Sequence, residues 1–360
     1  MKVVLAGGGT AGHIQPAISV AQVIKQNHPD AQLLFLGTSA GLENRLVPEA
    51  GFELALITKV SLPRKLSTAV VKAPFQLIKS IRQSRKHLQG ADVLIGFGGY
   101  VCAPAYLAAV SMGLPFVVHE ANAKPGVANR LGALFTKKLA VATPVAKGRF
   151  SSALLTGLPL RDDVQKALIS SRSDWAQARR RAKLSLGFDP DLALILIVGG
   201  SQGSVALNTT VTQSLASLGA KRIQLLHSLG NSSQLPATTD LYKPMAYISE
   251  MATAYLAADL IIARSGAVTC SEVNALGRYA LFIPLPIGNG EQEVNAKFLV
   301  EQGRAEIIPQ SLFTSQWVGA NIDRLLASSA KASPQGSDVD ADAAMKISNL
   351  IDFALSGGSR

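Results

Sequence analysis

The sequence predicts two doubly wound α/β domains, each a parallel sheet with helices on both faces. Three observations carry this. Short apolar runs of strand length alternate with segments of helix length. The alternation stops once, over a polar, charged stretch at 162–189, and then restarts. A glycine-rich turn follows the first strand of each half: Gly7-Gly8-Gly9-Thr10-Ala11-Gly12-His13, and Gly199-Gly200-Ser201-Gln202-Gly203-Ser204.

In the first half, 3–6, 33–36, 93–95, 116–119 and 139–142 read as strands, and 16–27 and 103–112 as helices between them. Thr156-Gly157-Leu158-Pro159-Leu160 reads as a hinge, because Gly and Pro punctuate it. The domains are therefore 1–160 and 161–340. In the second half, 192–198, 223–227, 260–263 and 280–284 read as strands. The stretch 328–342 is rich in Ser, Ala, Asp, Gly and Pro and reads as a loop. An amphipathic helix at about 343–356 follows and is expected to pack back on the first domain.

Of the 360 residues, 48% are hydrophobic, enough for two cores. No apolar run reaches the ~18 residues of a spanning helix. The N-terminus runs straight into a strand, without the longer apolar region of a signal peptide. Cys102 and Cys270 lie far apart and read as small core residues. No His or Cys cluster has metal-ligand spacing, so neither a metal nor a cofactor is expected.

The net charge of +11 is one-sided. Residues 1–161 hold 18 lysines and arginines against 6 acids, and the remainder is nearly neutral. A basic first half calls for an anionic partner: a phosphate, a nucleic acid or an acidic membrane surface. Nucleic acid is disfavoured, since aromatics make up only 6% of the chain and no nucleic-acid module signature occurs.

Each glycine turn opens a helix whose N-terminus offers free N–H groups to a phosphate. Gly7, Gly9 and Gly12 also fit the dinucleotide spacing, but the second strand ends Leu36-Gly37-Thr38, with no carboxylate for a ribose. Nicotinamide binding is therefore set aside. Two such turns in two domains predict a ligand in a cleft where the domains face each other.

Five motifs occur in order: the first glycine turn, His119-Glu120-Ala121-Asn122, the second glycine turn, Arg264-Ser265-Gly266-Ala267 with Ser271-Glu272, and Gln292 with Asn295-Ala296. Together they resemble the MurG family of peptidoglycan GlcNAc transferases, from Met1 to about Ile308. The resemblance implies a GT-B fold, with UDP-GlcNAc as donor and lipid I, a polyprenyl-diphosphate muramyl-pentapeptide, as acceptor. It implies a peripheral enzyme at the cytoplasmic face of a bacterial membrane, with proteins of cell-wall synthesis or division as potential partners. By similarity, Arg161, Ser201, Ile248, Gly266, Ala267, Val268, Thr269, Cys270, Ser271, Glu272 and Gln292 contact the donor, as do Thr10, Ala11, Gly12 and Asn122. The chemistry of these side chains suits those roles. A carboxylate at Glu272 can accept both ribose hydroxyls, Arg161 can fork onto a phosphate, and Gln292 and Asn295 share a helix face suited to sugar hydroxyls. Two departures stand out: Ala11 replaces a common glycine, and Glu291 stands where relatives often have a second glutamine.

For the attacking sugar hydroxyl, His13 is the first candidate base and Glu120 the second, while His119 orients or binds. With no Asp-x-Asp motif in the donor domain, helix N-termini and Arg161 are expected to take the charge of the leaving UDP. Lys72, Phe75, Ile78, Lys79 and Arg82, with Ile81 extending the apolar stripe, form a basic amphipathic segment suited to an anionic membrane. Three alternatives stay open: a UDP-GlcNAc 2-epimerase, another lipid glycosyltransferase, and a non-catalytic nucleotide-sugar sensor.

Overall fold

The computed structural model describes residues 1–60, 68–200, 202–230, 234–286 and 290–355, with the backbone alone for 68–72. The chain forms two compact units, one comprising Met1–Arg161 and the chain from Asp340 onward, the other Asp162–Val339.

In the first unit, strands β1 (Lys2–Ala6), β2 (Gln32–Gly37), β3 (Glu53–Leu56), β4 (Val93–Gly96), β5 (Phe116–Glu120), β6 (Leu139–Val141) and β7 (Leu154–Leu155) pair in the order β3-β2-β1-β4-β5-β6-β7. Every pairing is parallel. Helices α1 (Ala11–Asn27), α2 (Glu43–Glu49), α3 (Thr68–Leu88), α4 (Cys102–Met112) and α5 (Val127–Gly132) connect them. Alternate residues of each strand serve opposite faces. Val3, Leu5, Ile95 and Val117 join one core, and Val4, Ala6, Leu94 and Val118 the other. Because β1 is followed by β2 on one side and flanked by β4 on the other, the chain order switches at the carboxyl ends of β1 and β4.

The second unit begins with α6 (Asp162–Ser171) and α7 (Trp175–Ser185), so the stretch read as merely polar is two surface helices. Strands β8 (Leu194–Val198), β9 (Gln224–Ser228), β10 (Tyr242–Met245), β11 (Leu260–Ala263), β12 (Ala280–Phe282) and β13 (Ala305–Ile307) form a parallel sheet in the order β10-β9-β8-β11-β12-β13. Its helices are α8 (Val205–Ala220), α9 (Met251–Ala257), α10 (Ala267–Ala275), α11 (Glu291–Asn295), α12 (Lys297–Glu301) and α13 (Ser315–Lys331). Its switch point lies at the ends of β8 and β11, which carry Gly199-Gly200 and Arg264-Ser265-Gly266.

The expected loop over 328–342 starts late. Helix α13 runs to Lys331, capped by Thr314 Oγ1 accepting from Trp317 N–H at 3.2 Å and anchored by buried Val318, Ile322 and Leu325 at helical spacing. After it, the chain returns to the first unit, where Asp340 Oδ1 accepts from Leu158 N–H at 2.9 Å. The last described helix, α14 (Ala343–Leu355), packs Ala344, Ile347, Ile351 and Ala354 into the core that contains Ile14, Ile18 and Ala21 of α1. Among the described residues no helix is long and apolar enough to cross a membrane.

Because Ile347 is fully buried in that core, Ile347→Ala should cost the first unit about 2–5 kcal/mol, read from the urea midpoint. A loss below about 0.5 kcal/mol would mean that α14 is not part of its core.

Candidate active site

The carboxyl ends of β1 and β4 build a cradle around His13. Thr10 is the extended N-cap of α1, yet its side chain makes no cap bond. Its Oγ1 lies 3.2 Å from His13 Nδ1 instead, and the Gly8 carbonyl lies 3.2 Å from the same nitrogen. A carbonyl only accepts, so Nδ1 carries the proton and Nε2 keeps its lone pair. No hydrogen bond from the described residues reaches Nε2. A Cβ on Gly98, whose φ is +102°, would stand 3.1 Å from Nε2, so a glycine there leaves the imidazole edge open. Burial lowers the affinity of His13 for a second proton below that of a free imidazole, against the opposing pull of Glu120, the Gly8 carbonyl and Glu43.

Two buried carboxylates brace this cradle. Glu120, at the end of β5, is 2% exposed. Its Oε1 accepts from Asn122 N–H (2.9 Å) and Asn122 Nδ2 (3.0 Å), and its Oε2 from Gly126 N–H (2.9 Å) and Asn129 Nδ2 (3.0 Å). Asn129 also donates to the His119 carbonyl (3.0 Å) and accepts from Tyr106 Oη–H (2.9 Å). With both oxygens doubly engaged, Glu120 organises the 121–126 loop and presents no spare lone pair to a hydroxyl. Glu43, at the start of α2, is the other carboxylate. Its Oε1 accepts from Thr38 N–H (2.8 Å) and Thr38 Oγ1 (3.0 Å), and its Oε2 from Gly9 N–H (3.0 Å). The Gly9 amide is therefore committed to protein and not offered to a phosphate. His119 is fully buried and donates from Nε2 to the Gly157 carbonyl at 3.1 Å, a structural contact.

In the second unit the organiser is a cation. Buried Arg264 donates to the Ile283 and Pro284 carbonyls (2.9 and 3.2 Å), to Gln310 Oε1 (2.6 Å) and to Ser204 Oγ (2.8 Å), the residue that caps α8. This ties the ends of β8, β11 and β12 together. Gly266 then opens α10 with no side-chain cap, no acid in the first turn and nothing in the space its Cβ would face. Ala267, Val268 and Thr269 are half-buried there, which leaves a positively polarised helix end facing outward.

The remaining site residues are distributed unevenly. Thr10, Ala11, Gly12 and Asn122 are at least partly exposed in the first unit, and Arg161 is half-buried one residue before α6. Ile248, Cys270, Ser271 and Glu272 are buried at 3%, 1%, 6% and 4% exposure, so the carboxylate expected on a ribose lies inside the fold. Gln292 Oε1 accepts from Leu285 N–H (3.0 Å), and buried Asn295 donates to the Ser265 carbonyl (3.4 Å). These amides brace the loops around α10 and do not share one exposed face. Ser201 and the side chain of Lys72 lie outside the described residues. Phe75 and Ile78 are 73% and 49% exposed, with Lys79 and Arg82 exposed beside them. Ile81 instead packs against the core, so the expected apolar stripe divides. The sequence reading missed Glu43, Asn129, Tyr106 and Arg264 as organisers. Among the described residues no group of three His, Cys, Asp or Glu side chains is arranged to hold a metal.

His119 and His227 share one consequence of burial. Each is pushed from 6.5 to about 4. Their folded values lie below the unfolded one, so the unfolded chain binds more protons between pH 6.5 and 4 and stability falls as pH falls. Each histidine should contribute up to about 3 kcal/mol of that loss. Urea midpoints measured across the window test it, and a flat profile would refute neutral buried imidazoles.

The comparisons agree with this geometry. Residues 3–141 match the glycosyltransferase family 28 N-terminal domain, and 194–351 the family 28 C-terminal domain. Over 334 residues the chain is 43% identical to the UDP-N-acetylglucosamine--N-acetylmuramyl-(pentapeptide) pyrophosphoryl-undecaprenol N-acetylglucosamine transferase of Streptomyces coelicolor, covering 91% of this chain and 90% of that one. It is 45% identical to the protein of the same description from Corynebacterium glutamicum, over 91% and 90%. The crystal structure of Acinetobacter baumannii MurG superposes with a TM-score of 0.71 at 29% identity, covering 98% of this chain and 99% of that one. A UDP-GlcNAc 2-epimerase from Neisseria meningitidis, at 15% identity and a TM-score of 0.63 over 98% of this chain and 99% of that one, shares the fold alone. The chain belongs to glycosyltransferase family 28 and, within it, to the MurG group.

Proposed function

We propose that the chain is an inverting glycosyltransferase that needs no metal ion and moves N-acetylglucosamine from UDP-GlcNAc to the muramyl sugar of a lipid-linked pentapeptide diphosphate. The observation that carries this reading is the 42–45% identity to transferases of that description over about nine-tenths of the chain.

The acceptor hydroxyl attacks the anomeric carbon on the face opposite UDP. A new C–O bond forms as the bond to the UDP oxygen breaks, and the hydroxyl proton passes to His13 Nε2. The departing diphosphate takes the bonding pair, and its charge is met by the open N-terminus of α10 and by Arg161. Roles for Thr10, Ala11, Gly12 and Asn122 near the donor, and for Ser201, Ile248, Ser271, Glu272, Gln292 and Asn295 around it, carry over from the family motifs. Where these side chains are buried or pinned, the role is to shape the loops that touch the ligand.

The lipid acceptor requires contact with a membrane surface. Phe75 and Ile78 on α3 offer exposed apolar side chains, and Lys79 and Arg82 flank them with charge. Each cation near an anionic leaflet contributes about 1 kcal/mol.

Transfer of labelled GlcNAc to a short-chain lipid I analogue should proceed equally with and without EDTA. Conversion of UDP-GlcNAc to its 2-epimer without transfer would overturn the reading. His13→Ala should lower kcat by ~10²–10⁴. Because the base must be neutral and burial lowers its pKa below 6.5, the rate should fall on the acid side with its half-maximal point below pH 6.5; a half-maximal point above pH 6.5 counts against His13.

Phe75→Glu with Ile78→Glu should abolish sedimentation with phosphatidylglycerol vesicles while transfer to a water-soluble acceptor persists. Undiminished vesicle binding would remove this face from the reading.

A further inference from the structure

We propose that Glu43 is a positioning residue for transfer: its buried carboxylate locks the Gly8–Gly9 peptide so that the Gly8 carbonyl faces His13 and keeps the imidazole proton on Nδ1. The proposal rests on the reading of His13 as the base.

The geometry forms a relay through one peptide unit. Glu43 Oε2 accepts the Gly9 N–H at 3.0 Å. The peptide is trans, as no cis bond occurs among the described residues, so the Gly8 carbonyl points the opposite way. There it meets His13 Nδ1 at 3.2 Å. Holding the N–H therefore holds the carbonyl, and the carbonyl holds the tautomer that leaves Nε2 bare.

Such a lock is needed because this peptide joins two glycines and turns over at little steric cost; Gly9 already sits at φ +89°. Turned over, it would present the Gly9 N–H to Nδ1. The imidazole would then carry its proton on Nε2 and could not accept one there. A second contact shows that the carbonyl orientation is built in. Gly99, at φ +88°, lies so close that a Cβ would come within 2.1 Å of the Gly8 oxygen, so the carbonyl occupies a slot that only glycine leaves open.

Only a full-length carboxylate does this. Glu43 accepts two backbone N–H groups, one on each oxygen. In Glu43→Gln one of those positions becomes an NH₂ donor, and one amide loses its acceptor. Glu43→Asp keeps the charge but withdraws it by one methylene from Gly9.

The test is ¹⁵N NMR of the histidine rings in the full chain, with the His13 signals assigned as those absent from His13→Asn. The wild type should show a protonated Nδ1 and a bare Nε2. Glu43→Gln and Glu43→Asp should each shift the ring toward the Nε2–H tautomer and lower kcat by roughly tenfold, with KM for UDP-GlcNAc changed less than about twofold. A wild-type ring protonated on Nε2, or either folded variant retaining Nδ1–H, overturns the proposal. If Glu43→Gln does not fold, Glu43→Asp and the wild-type spectrum decide it. Full activity in His13→Ala would instead remove the base reading and leave the tautomer result standing.

Discussion

A carboxylate buried without solvent must have its oxygens filled by donors, and that requirement shapes the active face of the first unit. Glu43 and Glu120 are 0% and 2% exposed, and the donors that satisfy them are loop amides and short polar side chains. A hydrogen bond to such a charge contributes about 1.5–3 kcal/mol, so the loops are held to their carboxylates. The glycine turn after β1, the turn after β2 and the 121–126 loop thereby become one braced surface around His13. Close packing enforces the same geometry: a Cβ on Gly41 would overlap Glu43 Oε2 at 1.8 Å.

The second unit is organised by a charge of the opposite sign. Arg264 directs both terminal guanidinium nitrogens at protein acceptors, while the start of α10 keeps a helix N-terminus with no side-chain cap. Fixed dipoles of this kind need no reorganisation when charge develops on a leaving group. The first unit thus presents a half-buried imidazole with one nitrogen open, and the second an uncapped helix N-terminus.

The same division explains the distribution of surface charge. The basic excess belongs to the first unit, where α3 exposes Phe75 and Ile78 among cations while Ser80, Ser84 and Leu88 face inward. That unit is completed by α14, whose apolar stripe returns from beyond the second unit to cover α1. The core behind His13 thus depends on both ends of the chain.

Periodicity and turn chemistry made both sheets, the glycine turns and the family legible in the sequence, because buried parallel strands leave continuous apolar runs and strand-to-helix turns at phosphates require glycine. The edge strands β3, β7, β10 and β13 left too weak a pattern to see, because each is short and only partly buried and so lacks the continuous apolar run of a central strand. How many partners each polar side chain engages was decided by tertiary contacts. Glu120 and Glu43 differ little as letters from a catalytic acid, and Glu272, Gln292 and Asn295 carry the motif whether exposed or buried. Their roles depend on how many donors reach each oxygen, a count that sums partners far apart in sequence: Gly9 and Glu43 stand 34 residues apart, Ser204 and Arg264 60. A one-dimensional pattern records each residue type but not its partners. The sequence by itself therefore determined the class of fold and the family, and only the folded chain decided that Glu120 is saturated, that Glu43 holds the glycine turn and that His13 keeps one nitrogen open.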